Sequence, residues 1–101
     1  MTKIFISQPM KDKTNQEIGQ ERKEIIEKVE KCLGEIEVID SFFKDAPHDA
    51  KPLWFLGKSL ELLSTADVIV LGKDWENARG CKIEHECAIQ YGIKIICIEN
   101  L

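Results

Sequence analysis

The chain has 101 residues, 44% hydrophobic and 32% charged, a balance that fits one globular domain over 1–101 and leaves no room for a second. A formal charge of -4 and a pI near 5.2 argue against a footprint for nucleic acid phosphates or an anionic membrane, so the expected partner is a small molecule or another protein chain. Met1–Ser7 reads as a buried strand instead of a secretory leader, and no apolar run approaches the roughly 20 residues of a membrane span; a cytoplasmic location is expected.

Lys3–Ser7 is a short β-rich run without helical period, followed by loop chemistry in Gln8-Pro9-Met10-Lys11-Asp12. Thr14 and Glu17 have the capping-box spacing. After them Ile18, Ile25, Ile26, Val29, Cys32 and Leu33 share one helical face that ends at Gly34. Glu35–Phe43, with Ile36, Val38, Ile39 and Phe42, predicts a second strand, and the polar stretch Lys44–Lys51 a loop. Pro52 suits the first turn of a second helix whose stripe is Leu53, Leu56, Leu60 and Leu63. Val68–Leu71 is a continuous apolar run, expected as a central strand covered on both faces. Gly80 opens a third helical pattern with Ile83, Cys87 and Tyr91 inward and Gly92 at its end. Ile93–Ile98 predicts the last strand.

The alternation of strands and helices implies an α/β three-layer sandwich, because right-handed crossovers turn it into a parallel sheet with helices on both faces. A spatial strand order of 2-1-3-4 puts the topological switch point between the first and third strands. The loops Ser7–Lys13 and Gly72–Arg79 then face each other across the crevice where ligands bind in such sheets. The apolar last strand becomes an edge, so a homodimer or larger homo-oligomer is expected to cover it or the neighbouring helices.

The candidate site residues belong to those two loops and the third helix. Glu84 is the foremost, since it flanks the inward stripe near a helix start, where the positive helix end favours a carboxylate suited to act as a nucleophile. A plain helix-starting acid is the alternative. Gly80 and Arg79 offer free N–H groups and a forked donor to an anion, or else a close helix-on-strand approach and a solvated charge. Trp75 is placed to stack on a planar base or to cap the core, and Asp74 to bind a hydroxyl or simply to turn the chain. Ser7, Gln8, Pro9 and Met10 present backbone groups and an amide to the same crevice. Cys32, Cys81, Cys87 and Cys97 contain no CxxC pair, so reduced, mostly buried thiols are expected. Cys81 and His85 share a helical face that Cys87 does not, which argues against a metal, and Glu86 and His85 are expected to face solvent.

The segments KIFISQPM, ADVIVLGKDWENARG and EHECAIQYG, with Gly80, Glu84, Ala88 and Gly92 at four-residue steps, resemble the nucleoside 2-deoxyribosyltransferase-like superfamily, especially its short, often phage-encoded branch. The likeness extends over nearly the whole chain. It implies a flavodoxin-like, Rossmann-like fold, a nucleoside or nucleotide substrate, no cofactor, and Glu84 as the nucleophile that attacks the anomeric carbon, as in retaining glycosidases. The family's tyrosine in the first strand falls at Phe5, an acidic residue on the helix before the third strand falls near Ser59, and a polar residue six before the nucleophile falls at Ala78. The chain is also shorter than the true transferases, whose C-terminal segment helps complete a neighbouring subunit's site. The implied activity is therefore an N-glycosidase or deoxyribosyltransferase, with a non-catalytic binder of nucleotide-like molecules as the other reading.

Overall fold

The computed structural model describes residues 1–41, 43 and 46–101. The elements run β1 (Thr2–Ser7), α1 (Asn15–Leu33), β2 (Ile36–Val38), α2 (Pro52–Leu63), β3 (Val68–Leu71), α3 (Arg79–Gln90) and β4 (Lys94–Cys97), with short 3-10 turns at Trp75–Asn77 and Ile98–Asn100. The four strands form one parallel sheet in the order β2-β1-β3-β4. This is the expected flavodoxin-like arrangement, in which the direction of winding reverses after β2.

Local chemistry starts and stops α1 where the capping residues stand. Thr14 Oγ1 accepts from the Glu17 N–H at 3.1 Å, and the Thr14 N–H donates to Glu17 Oε1 at 3.0 Å. At the other end Gly34 takes φ +79°, a left-handed value that glycine adopts without a Cβ clash, and its N–H donates to the Glu30 carbonyl at 2.9 Å.

The period of two along β1 and β3 divides the core between the faces of the sheet. Ile4, Ile6, Val68 and Val70 pack with Ile25 and Val29 of α1. Phe5, Ile69 and Leu71 pack on the other face with Leu63 of α2 and Ala88 of α3. All of β3 is buried, as a central parallel strand must be. Arg22 is also buried within the stripe of α1, and its Nη2 donates to the Ile39 carbonyl at 3.1 Å, tying the helix to the chain beyond β2.

Three expectations need correction. β2 is much shorter than Glu35–Phe43: its pairing with β1 runs only from Thr2↔Ile36 to Ile4↔Val38. The Ile39 N–H still donates to the Ile4 carbonyl at 2.9 Å, but Ile39 buries its side chain in the opposite core, and Phe42 lies outside the described residues. Leu53 is not part of the buried stripe of α2; it is 77% exposed. The first turn of α2 packs instead through Trp54, whose ring meets Phe43 edge-on at 5.9 Å between centroids, and the neighbouring Leu53 is turned outward. Cys32, expected on the buried face of α1, is exposed.

The carboxyl ends of β1 and β3 approach very closely. The Gly72 N–H donates to the Ser7 carbonyl at 2.8 Å. A Cβ on Gly72 would lie 3.1 Å from Gln8 Cβ and 3.3 Å from Gln8 Cα. The neighbours are Cα and Cβ of Gln8, the residue directly after β1, which yield less readily than the far end of a flexible side chain. Gly72→Ala is therefore expected to lower stability by about 1–3 kcal/mol, the usual cost of overpacking, as read from urea denaturation. An unchanged midpoint would show that the two chain ends have slack.

Candidate functional site

The close approach at Gly72 places the end of β1 against α3. Ser7, the last residue of β1, is buried, and its Oγ donates to Glu84 Oε1 at 2.6 Å, a short charge-assisted hydrogen bond. Glu84 is 7% exposed, so its carboxylate points into the protein between the sheet and the helices. The Ser59 hydroxyl of α2 lies near it and, like Ser7, acts to lower its pKa. The Cys81 thiol, one turn earlier on α3, lies near Ser7 and feels the charges of Glu84 and Lys13. Four groups from β1, α2 and α3 thus share one polar cluster, with Ser7, Cys81 and Glu84 buried and Ser59 half-buried.

Burial raises the pKa of Glu84 above the ordinary carboxylate range, and the hydroxyls of Ser7 and Ser59 only partly offset it. The helix-end effect expected from sequence does not prevail. Glu84 stands in the second turn of α3, which begins at Arg79, and the influence of a helix end fades beyond the first turn, whereas desolvation acts on the whole charge. The Cys81 thiol is raised as well, by burial first and by Glu84, against lowering by Ser7 and Lys13. It is a neutral thiol, not an activated one.

The inward face of α3 also differs from expectation. Cys81, Glu84 and Ala88 are the buried residues, while Ile83 and Tyr91, expected inward, are exposed, Tyr91 at 82%. The helix rests on the sheet through Ala88, which is fully buried, and the polar side chain beside it is accommodated because Ser7 satisfies it. Hydrophobic periodicity scores Ile83 and Tyr91 above Glu84 and so selects the wrong face.

The other candidates are spread around this cluster. Gln8 is buried, Pro9 half-buried and Met10 exposed on the loop after β1. Gly80 and Arg79 are exposed at the start of α3, where the N-cap, Ala78, makes no side-chain cap. A Cβ on Gly80 would meet nothing within 4 Å, so the close approach considered for Gly80 belongs instead to Gly72. Asp74 is exposed with φ +63°, and its N–H donates to Glu99 Oε1 at 3.3 Å. Trp75 is half-buried against the core of Phe5 and Leu63. Its ring stacks on His85 at 4.3 Å and 37°, so His85 is half-buried, while Glu86 faces solvent as expected.

The family profile described as "Domain of unknown function (DUF4406)" matches residues 2–97. The chain belongs to the DUF4406 family. No curated protein matches it. Among solved structures it is similar to one described as a conserved protein from Enterococcus faecalis V583, with a TM-score of 0.72, 18% identity and 96% of this chain covered. The DUF4406 domain spans 62% of that protein's chain, and at this identity the likeness concerns the fold. Among the described residues of the domain, no helix is long and apolar enough to cross a membrane.

Sequence reasoning passed over two residues that shape the edge of the site. Lys13 Nζ pairs with Glu21 Oε2 at 2.8 Å, and the other oxygen of Glu21 accepts from Gln8 Nε2 at 3.4 Å. The signal was present in the chain, since Glu21 stands on α1 one turn after Glu17, but a charged residue on a helix reads as solvent-facing until the loop is folded over it.

The raised pKa of Glu84 has a consequence for stability that does not depend on ligand. A carboxyl group whose folded-state pKa lies above its unfolded value stabilises the fold fully below the unfolded pKa and loses that contribution as pH rises through the folded one. Glu84→Gln keeps an acceptor for Ser7 and removes the buried charge. The variant is expected to melt above the wild-type domain at pH 7, with the gap closing as pH falls below the ordinary carboxylate range near 4. Melting temperatures of both proteins across that span check this, and a gap that widens on acidification would contradict it.

Proposed function

We propose that this DUF4406 domain is a nucleoside- or nucleotide-directed N-glycosidase or deoxyribosyltransferase with Glu84 as its nucleophile. The observation that carries the reading is a glutamate carboxylate buried at the switch point of a parallel sheet and hydrogen-bonded by Ser7 at 2.6 Å. Supporting it is the resemblance of KIFISQPM, ADVIVLGKDWENARG and EHECAIQYG to the nucleoside 2-deoxyribosyltransferase-like superfamily.

In this reading one Glu84 oxygen bonds the anomeric carbon as the bond to the base nitrogen breaks, and the base leaves with the electron pair and takes up a proton from solvent. Water, or a second base, then attacks the same carbon and frees the carboxylate. Ser7 orients the carboxylate. Arg79 and the uncapped start of α3 receive an anionic group such as a phosphate. One face of Trp75 is occupied by His85, so a stacked base takes the other face or displaces the imidazole. Because burial raises the Glu84 pKa, the ionised, nucleophilic form grows in as pH rises, and the acidic limb of the rate profile lies above that of an ordinary carboxylate.

A second reading is a binder of nucleotide-like molecules without turnover. It is favoured by Phe5, which is buried in the core and has no hydroxyl to offer a sugar, and by the slight exposure of Glu84, which a reacting sugar must reach. Incubation with a panel of nucleosides and nucleotides, followed by chromatography for free base, separates the two. Glycosidase activity is expected in the wild-type domain, reduced roughly a thousandfold or more by Glu84→Ala and roughly tenfold by Ser7→Ala. If no base is released but ligands raise the melting temperature, the binding reading replaces the enzymatic one.

A further inference from the structure

Gln8 is 4% exposed. Its Nε2 donates to the Ile18 carbonyl at 3.3 Å and to Glu21 Oε1 at 3.4 Å, and Lys13 holds the other Glu21 oxygen at 2.8 Å. The amide is therefore oriented: turning it over would set Oε1 against two acceptors. Since the oxygen and nitrogen diverge from one carbon, Oε1 is turned away from those two acceptors, and it is itself buried. Among the described residues no donor reaches it.

A buried acceptor without a donor costs stability, whereas an apolar group of the same shape would not. The fold has little need of this amide. Ile18 lies inside α1, where its carbonyl also serves the helix ladder, and Glu21 retains Lys13. Gln8 nevertheless sits beside the candidate site. It follows Ser7, which binds Glu84, and packs against Gly72 where β1 and β3 meet.

We infer that Gln8 is a specificity-determining residue of the crevice, its carbonyl preset to accept a hydrogen bond from an O–H or N–H donor of the ligand, the chemistry of a sugar hydroxyl or a base amino group. The inference rests on the nucleoside reading for the identity of the ligand, and on the orphaned, oriented acceptor for the role of Gln8.

The test uses Gln8→Met, which keeps the length of the side chain and removes the carbonyl. Urea denaturation without ligand is expected to find the variant at least as stable as the wild type. Dissociation constants are then compared within two pairs of ligands: a ribonucleoside against its 2′-deoxy form, and a nucleoside with an amino-bearing base against the analogue lacking that amino group. The wild-type domain is expected to prefer the donor-bearing member of one pair by about tenfold, and Gln8→Met to lose that preference; the pair affected identifies sugar or base as the donor. Discrimination that survives in the variant overturns the inference. If neither protein binds any of these nucleosides, the nucleoside reading fails and the stability comparison decides for Gln8. A variant no less stable than the wild type upholds a ligand-facing acceptor, and a clear loss of stability assigns the amide to the fold.

Discussion

The hydrogen bond from the Gly72 N–H to the Ser7 carbonyl, at 2.8 Å, joins the two strands whose carboxyl ends make the crevice. It extends the β1–β3 ladder by one step beyond Ser7↔Leu71, and it brings Gln8 so near Gly72 that a Cβ there would be tightly crowded. With the two strand ends joined, the backbone of Ser7 is fixed in place. The Ser7 hydroxyl meets α3 at the level of Glu84, and the polar cluster follows from that meeting.

A carboxylate in such a place opposes the fold. Taking a charge out of water is costly unless hydrogen bonds replace the lost solvation, and here burial outweighs the neutral hydroxyls of Ser7 and Ser59, so the pKa remains raised. An aliphatic residue would pack between Cys81 and Ala88 with less conflict. Strongly perturbed acids in such positions cluster at functional sites. The same tension recurs at Gln8, whose buried amide satisfies its donors and leaves its acceptor. Ser7 and Gln8, neighbours at one strand end, thus bring polar groups into the interior, where Ser7 answers Glu84 and Gln8 answers α1.

Much of the architecture was legible in the chain because it depends on local rules. The capping box of Thr14 and Glu17, the left-handed glycines Gly34 and Gly92 and the apolar run Val68–Leu71 each act within a few residues. The errors fall where a distant partner decides the outcome. β2 ends early because its pairing with β1 ends at Ile4. Leu53 turns outward because Trp54 meets Phe43, and α3 presents Glu84 instead of Ile83 because Ser7 lies beneath it.

The amino-acid sequence by itself determined the order of strands and helices along the chain, since hydrophobic period and caps are properties of short stretches, and its family resemblance pointed to the flavodoxin-like sheet order and to Glu84 as the acid to examine. Only the tertiary structure decided that this acid is buried with a raised pKa, that Gly72 and not Gly80 permits the close approach, and that Lys13 and Glu21 orient Gln8. The reason is physical: desolvation, steric fit and hydrogen-bond satisfaction depend on which groups meet across the fold, and residues as far apart in the chain as Ser7 and Glu84 meet only once the sheet has formed.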